Sequence, residues 1–264
     1  MASATWGRAN DPTIYGTLDL DATAALAHAR SLSVQAHERV TLTSVVVAAL
    51  GRTLARHPDC NAYIRLGRMY QRENVDIFVL VAVPPEPGQG TLADLSGVKI
   101  EHADRKSVLQ IAEELERRVT EVRGGNDPAL AQVKRAFRLL PPSLTKLGLK
   151  AAELLQYELN LDLSKIGIPR DSFGSAFVTN VGAIGPGVGH AFPPIVPMTR
   201  LCVNVAMGAV EDRPVVDHGA VVIRPILPLT ATFDHRAIDG FQGAKLSKAF
   251  CEILLHPEEN LVQA

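Results

Sequence analysis

A chain of 264 residues, 47% hydrophobic and with a formal net charge of −1, holds enough apolar material for one large or two small domains, and nothing in its charge draws it toward nucleic acid. Three cysteines, an odd number, make no disulfide framework and suit a reducing compartment. The opening Met-Ala-Ser-Ala-Thr-Trp lacks the basic and apolar regions of a signal peptide, and no apolar run approaches a membrane span, so a soluble cytoplasmic protein is the expectation.

Residues 13–19 read as a strand, followed by a helix initiated at Asp21 or Thr23 and running to about Ala36. From Thr43 to Arg56, Val46, Val47, Leu50 and Leu54 recur at three- and four-residue spacing, the pattern of a buried helix that Pro58 stops. Tyr63–Tyr70 and Val75–Val83 read as strands, the second almost wholly apolar and therefore central. Lys106–Arg123 is an amphipathic helix with Val108, Ile111, Ala112, Leu115 and Val119 on one face, ended by Gly124-Gly125.

Strands resume at Ala176–Asn180 and Leu201–Val210. Val215-Val216 and Ala220–Arg224 flank the hairpin turn Asp217-His218-Gly219. Ile226–Asp234 follows, with Pro225 and Pro228 marking a bulged or edge start, and Phe241–Leu255 closes the chain as a helix. This order of strands and helices, with hairpins near the end, favours a two-layer α/β sandwich with a mixed sheet over a parallel dinucleotide-binding sheet. The Gly-rich run Gly182–Gly189 lacks the Lys-Ser/Thr of a phosphate loop, and reads as a turn that a ligand or a neighbouring chain can approach, or as plain loop.

One segment carries chemistry: Phe233-Asp234-His235-Arg236-Ala237-Ile238-Asp239-Gly240. An imidazole at a strand end has a fixed ring position, and its ordinary titration range suits a general base for a thiol or hydroxyl. Gly240 would let the chain bend into the helix that follows. The same residues are open to plainer readings: a satisfied polar His235, or a His and Asp pair capping a helix. Zinc would need a third ligand, and neither the other histidines nor Cys60, Cys202 and Cys251 supply one in recognisable spacing.

That segment resembles the signature of the 2-oxoacid dehydrogenase acyltransferase (dihydrolipoamide acyltransferase) family, whose catalytic domain has a chloramphenicol-acetyltransferase-like fold. Tyr15–Thr23, Val40–Val47, Arg56–Ala62, Phe177–Gly182 and Gly208–Val216 are similar to other parts of that domain, in the family's order. The resemblance implies an N-terminal arm over residues 1–12 and a catalytic domain over 13–262. It also implies acyl transfer between coenzyme A and a thiol acceptor, without a covalent acyl-enzyme and without a tightly bound cofactor. His235 would be the base and Thr179, where the family usually has serine, the oxyanion donor. Asn180, Gly182, Arg236 and Gly240 would line the substrate site. Asp239 would orient the loop through an arginine, for which Arg8 and Arg236 are the candidates.

The resemblance further implies a homotrimer, or a larger cage, with His235 and Thr179 meeting across an interface. No Asp-Lys-Ala lipoylation signature occurs in the first fifty residues, nor are lipoyl or peripheral-subunit-binding modules seen. The lipoyl group is therefore expected in trans, on a separate carrier protein. A helical insertion is expected at about 126–170. Helices over Ala129–Leu140 and Ser143–Gln156 are separated by Pro141-Pro142, and every charge from Ala129 to Lys150 is basic. Such a pair packs over the sheet or a trimer neighbour, lies on an anionic membrane surface, or covers an acyl chain. Two other functions stay open: an acyltransferase with an alcohol, amine or lipid acceptor, and a non-catalytic trimeric scaffold.

Overall fold

The computed structural model describes residues 12–83, 94–124, 147–148, 151, 154–161, 171–185, 187, 189–196 and 199–261. Strand β1 (Thr13–Asp21) leads into helix α1 (Thr23–Ala36), where the Asp21 carboxylate accepts from the Thr23 N–H at 2.9 Å. Helix α2 (Leu42–Arg56) starts at an N-cap, Thr41, whose hydroxyl accepts from the Ser44 N–H. Val45 through Leu50 are all buried, as the apolar spacing predicts for a helix enclosed by its neighbours. Helix α3 (Val108–Arg123) opens on a reciprocal capping box between Ser107 and Gln110, and helix α4 (Gly240–Leu255) is followed by the short α5 (Pro257–Asn260).

The main sheet has strand order β1-β9-β7-β6-β4-β5, formed by β1, β4 (Ile77–Val83), β5 (Asp94–Ile100), β6 (Ala176–Asn180), β7 (Val203–Met207) and β9 (Ala220–Asp234). Strand β8 (Glu211–Asp217) lengthens it by pairing with the first half of β9. The β4–β6 and β6–β7 ladders are parallel and the others antiparallel, so the expected mixed sheet is present. Apolar side chains of one sheet face, among them Leu229, Phe233, Val203 and Val205, join Leu50, Leu54, Leu246 and Ile253 of the helices in a single core. The opposite face of β9 and β7 carries Thr230, Thr232 and Asn204 and lies under residues 190–196. There the Ala191 carbonyl accepts from the Thr230 hydroxyl and the Pro194 carbonyl from Asn204 Nδ2.

Two strand readings are corrected and one strand is added. Tyr63–Tyr70 is not one strand but a separate hairpin, β2 (Ala62–Arg65) and β3 (Arg68–Gln71), reversed at Leu66 (φ 47°) and Gly67 (φ 73°). Both turn residues are left-handed, the geometry of a two-residue hairpin, which glycine supports and leucine conceals from sequence. Ala220–Arg224 and Ile226–Asp234 are one continuous strand. The prolines fall where β9 exchanges β8 for β7, and their carbonyls remain in use: Pro225 accepts from Ala22 N and Pro228 from Gly208 N. Met207 pairs with Leu229 while Glu211 pairs with Ile226, four steps against three, so the interruption is a one-residue bulge. Strand β5 is an addition with no expectation behind it. The helix expected at Ala129–Leu140 lies outside the described residues, and that at Ser143–Gln156 is described only in part, ending in a π-helical turn at Leu154–Glu158.

Candidate active site

The chemistry-bearing loop begins where β9 runs out. Asp234 still pairs with Thr13, its N–H donating to the Cys202 carbonyl at 3.0 Å. One residue on, the His235 N–H donates to the Pro12 carbonyl at 2.8 Å, so the backbone beneath the imidazole is held from the β1 side. The chain then turns: the N–H groups of Ala237 and Ile238 both return to the Asp234 carbonyl at 2.9 Å, and both side chains are buried. His235 itself is exposed, with Nδ1 3.1 Å from the Ile238 carbonyl oxygen. A carbonyl only accepts, so this contact requires the proton of the neutral ring on Nδ1 and leaves the Nε2 lone pair facing outward.

Asp234 and Arg236 shape the loop. The buried Asp234 carboxylate takes a two-pronged grip from Arg236, with Nε at 2.9 Å and Nη2 at 2.6 Å, and also accepts the Arg236 backbone N–H at 3.0 Å. These hydrogen bonds hold the Arg236 guanidinium above its ordinary pKa, against partial desolvation. Arg236, one of two expected partners for Asp239, is thus bound to Asp234 instead; Arg8 lies outside the described residues. Asp239 is the N-cap of α4, exchanging hydrogen bonds with Gln242, whose Nε2 reaches Asp59 at 3.1 Å. Gly240 does not bend the chain in a left-handed conformation, and a Cβ there would meet nothing within 4 Å. The reversal is made earlier, by the turn that the Ala237 and Ile238 N–H groups close on the Asp234 carbonyl. Asp234 is the residue that sequence reasoning missed, although an acid and a base two apart across a strand end could have signalled a pair.

Beneath this loop lie two thiols. Burial pushes Cys202 up to about 12, with the Asp234 charge adding to it, and Cys60 up to about 11, aided by Asp59 and Asp239. Both are protonated at neutral pH.

Thr179 and Asn180 end β6. Asn180 serves structure: its Nδ2 donates to the Thr43 hydroxyl at 2.9 Å and its Oδ1 caps the Ala183 N–H at 3.1 Å. A Cβ at Gly182 would sit 2.3 Å from the Gly208 carbonyl oxygen, so this glycine lets two turns touch. Gly182→Ala is expected to cost about 2–3 kcal/mol by overpacking, measured by denaturant unfolding, with no change if the backbone contact is absent. Within the Gly-rich run, the Gly187 N–H donates to the Glu211 carboxylate at 3.0 Å.

The structure does not bring Thr179 and His235 together within one chain. Thr179 is level with Ala206 on β7, whereas His235, two residues past the Phe233–Val203 pair, is level with Leu201. Five residue steps and two strand spacings separate them by roughly 20 Å.

The family model for "2-oxoacid dehydrogenases acyltransferase (catalytic domain)" matches residues 6–129 and 168–262, leaving 130–167 unmatched. The acetyltransferase component of the Staphylococcus aureus pyruvate dehydrogenase complex is 23% identical over 236 residues, covering 89% of this chain and 43% of its own length. The chain therefore spans less than half the length of the curated relatives it matches. Among solved structures, the cubic core of the pyruvate dehydrogenase multienzyme complex superposes with a TM-score of 0.68 at 19% identity, over 96% of this chain and 85% of that one. A chloramphenicol acetyltransferase superposes at 0.52 and 12% identity, over 92% and 89%. These likenesses show the fold, a chloramphenicol-acetyltransferase-like α/β sandwich. With the match spanning far more than half of its residues and containing the whole His235 loop, the chain belongs to the 2-oxoacid dehydrogenases acyltransferase (catalytic domain) family.

Proposed function

We propose that the protein is an acyltransferase moving an acyl group between coenzyme A and a thiol of the dihydrolipoamide type, with His235 as general base. The observation that carries this reading is the lock on Nδ1 by the Ile238 carbonyl, which presents Nε2 as an exposed, oriented proton acceptor. Nε2 takes the proton of the acceptor thiol, and the sulfur attacks the thioester carbonyl carbon. The tetrahedral intermediate then expels the donor sulfur, which recovers the proton from Nε2. No side chain is acylated, in keeping with the protonated state of Cys60 and Cys202.

A hydroxyl for the oxyanion is supplied by Thr179 of a second copy, because the sheet holds the two residues of one chain far apart. The closed trimer that the family resemblance implies lets every histidine meet such a hydroxyl. Three unpaired thiols fit a reducing, cytoplasmic setting.

Purified protein mixed with acetyl-coenzyme A and dihydrolipoamide is expected to form the acetyl thioester catalytically, with saturation in both substrates. Transfer only to alcohols or amines would remove the thiol acceptor from this reading. No transfer to any acceptor, with no binding of coenzyme A by calorimetry, would remove the enzyme and leave a scaffold.

A further inference from the structure

We infer that the tip of the β2–β3 hairpin, together with the turn at Leu154–Leu161, is a docking surface for an anionic lipid bilayer. The hairpin forms a two-stranded sheet of its own, apart from the main one, and β3 is exposed along its whole length. Its reversal places Leu66 outward in a left-handed conformation with 70% of its surface open, and Met69 follows on the exposed strand. A leucine is costly in that conformation and gains nothing from water there. Beside it, Leu154 (53% exposed) and Leu159 (55%) project from the π-helical turn, which the Leu159 N–H closes on the Leu154 carbonyl at 2.9 Å.

Glu158 binds these two parts into one surface. Its Oε2 accepts from the Leu66 N–H at 3.0 Å, its Oε1 from Arg200 Nη2 at 2.8 Å, and its carbonyl from Arg65 Nε at 3.1 Å. The joined surface exposes Leu66, Met69, Leu154 and Leu159 together, and an apolar patch of that kind marks a partner.

Two observations favour a bilayer as that partner. The first is charge. Arg68 stands exposed at the rim, and the Arg65 guanidinium lies 5.6 Å from the centre of the Tyr70 ring, which is stacked on Tyr63 at 5.8 Å. Apolar tips ringed by arginine and tyrosine match the depth profile of an anionic lipid surface, with leucines below the headgroups and cations among them. The second observation is placement. A cleft of about 430 Å³, walled by Ile64, Leu66, Met69, Glu158, Arg200 and Arg236, runs from this rim to the residue next to His235. A surface seated on lipid therefore has a passage toward the reactive loop. Glu158, which closes one wall, belongs to the stretch that the family model leaves unmatched.

The inference does not depend on the acyl chemistry, and a binding assay tests it without an activity readout. The full chain is sedimented with vesicles of phosphatidylcholine alone or with one-third phosphatidylglycerol. Binding to the mixed vesicles, weakened by added salt, is the expected result. Leu66→Asp combined with Met69→Asp is expected to lower the bound fraction at least tenfold, and Arg68→Glu to weaken binding to the mixed vesicles only. Aspartate tolerates positive φ better than leucine, so the hairpin turn is preserved, and an unchanged circular dichroism spectrum verifies it. Absence of wild-type binding to either vesicle overturns the inference, as does unchanged binding of the double variant. A fall in particle mass by light scattering in the double variant, without vesicle binding by the wild type, would instead make the patch a contact between copies.

Discussion

Replacing His235 with alanine is expected to lower acyl transfer by about 10²–10⁴-fold, the range set by removing a positioned general base. The loop should survive the change, because its frame does not use the imidazole. The His235 backbone N–H still meets Pro12, the Asp234 carbonyl still receives two N–H groups, and Ala237 and Ile238 stay buried. The imidazole itself is exposed, and its Nδ1 meets the Ile238 carbonyl. The loss should therefore appear in kcat with little change in thermal unfolding. The measurement is steady-state thioester exchange alongside a melt: an unchanged kcat would remove His235 from the chemistry, and a collapsed melt would assign it to structure.

How much of this was legible in the sequence depends on the range of the interactions involved. The helices were readable because their determinants are local. The apolar spacing of Val46, Val47, Leu50 and Leu54 buries α2, and caps such as Thr41 and Ser107 act within three residues of themselves. The position of His235 at a strand end was readable for the same reason. The hairpin at Leu66-Gly67 was not, since its left-handed leucine is held by tertiary contacts, among them the Glu158 carboxylate on its N–H. Neither was the continuity of β9 through Pro225 and Pro228, which depends on two different partner strands taking turns along one edge.

The site shows the same division. Of the two acids of the loop, Asp239 faces Gln242 as a helix cap, one of the readings its spacing left open, while Asp234, inside the strand, holds the arginine. Spacing along the chain names both acids but cannot say which one the fold turns inward. Nor could it say that His235 and Thr179 stand at different levels of the sheet, a fact fixed only by the β6–β7–β9 register.

That separation sets the second large effect. Thr179→Val keeps the β-branched shape that suits β6 and removes only the hydroxyl, so folding should be preserved while acyl transfer falls about 10²–10³-fold, the cost of losing one oxyanion donor. Thr179→Ser should retain most of the rate. The stronger experiment mixes copies. When His235→Ala and Thr179→Val chains are unfolded separately, combined in equal amounts and refolded, random assembly pairs an intact histidine with an intact neighbouring hydroxyl in about one site of four, so roughly a quarter of wild-type activity should return. If both groups of a site came from one chain, every site would carry a lesion and no activity would return, whatever the proportions. Because Ala206, level with Thr179, and Leu201, level with His235, are fixed on the same short strand, no hinge within the sheet can bring the two groups together. Recovery in the mixture would therefore locate the hydroxyl on the adjoining copy, and its absence would end the role assigned to Thr179.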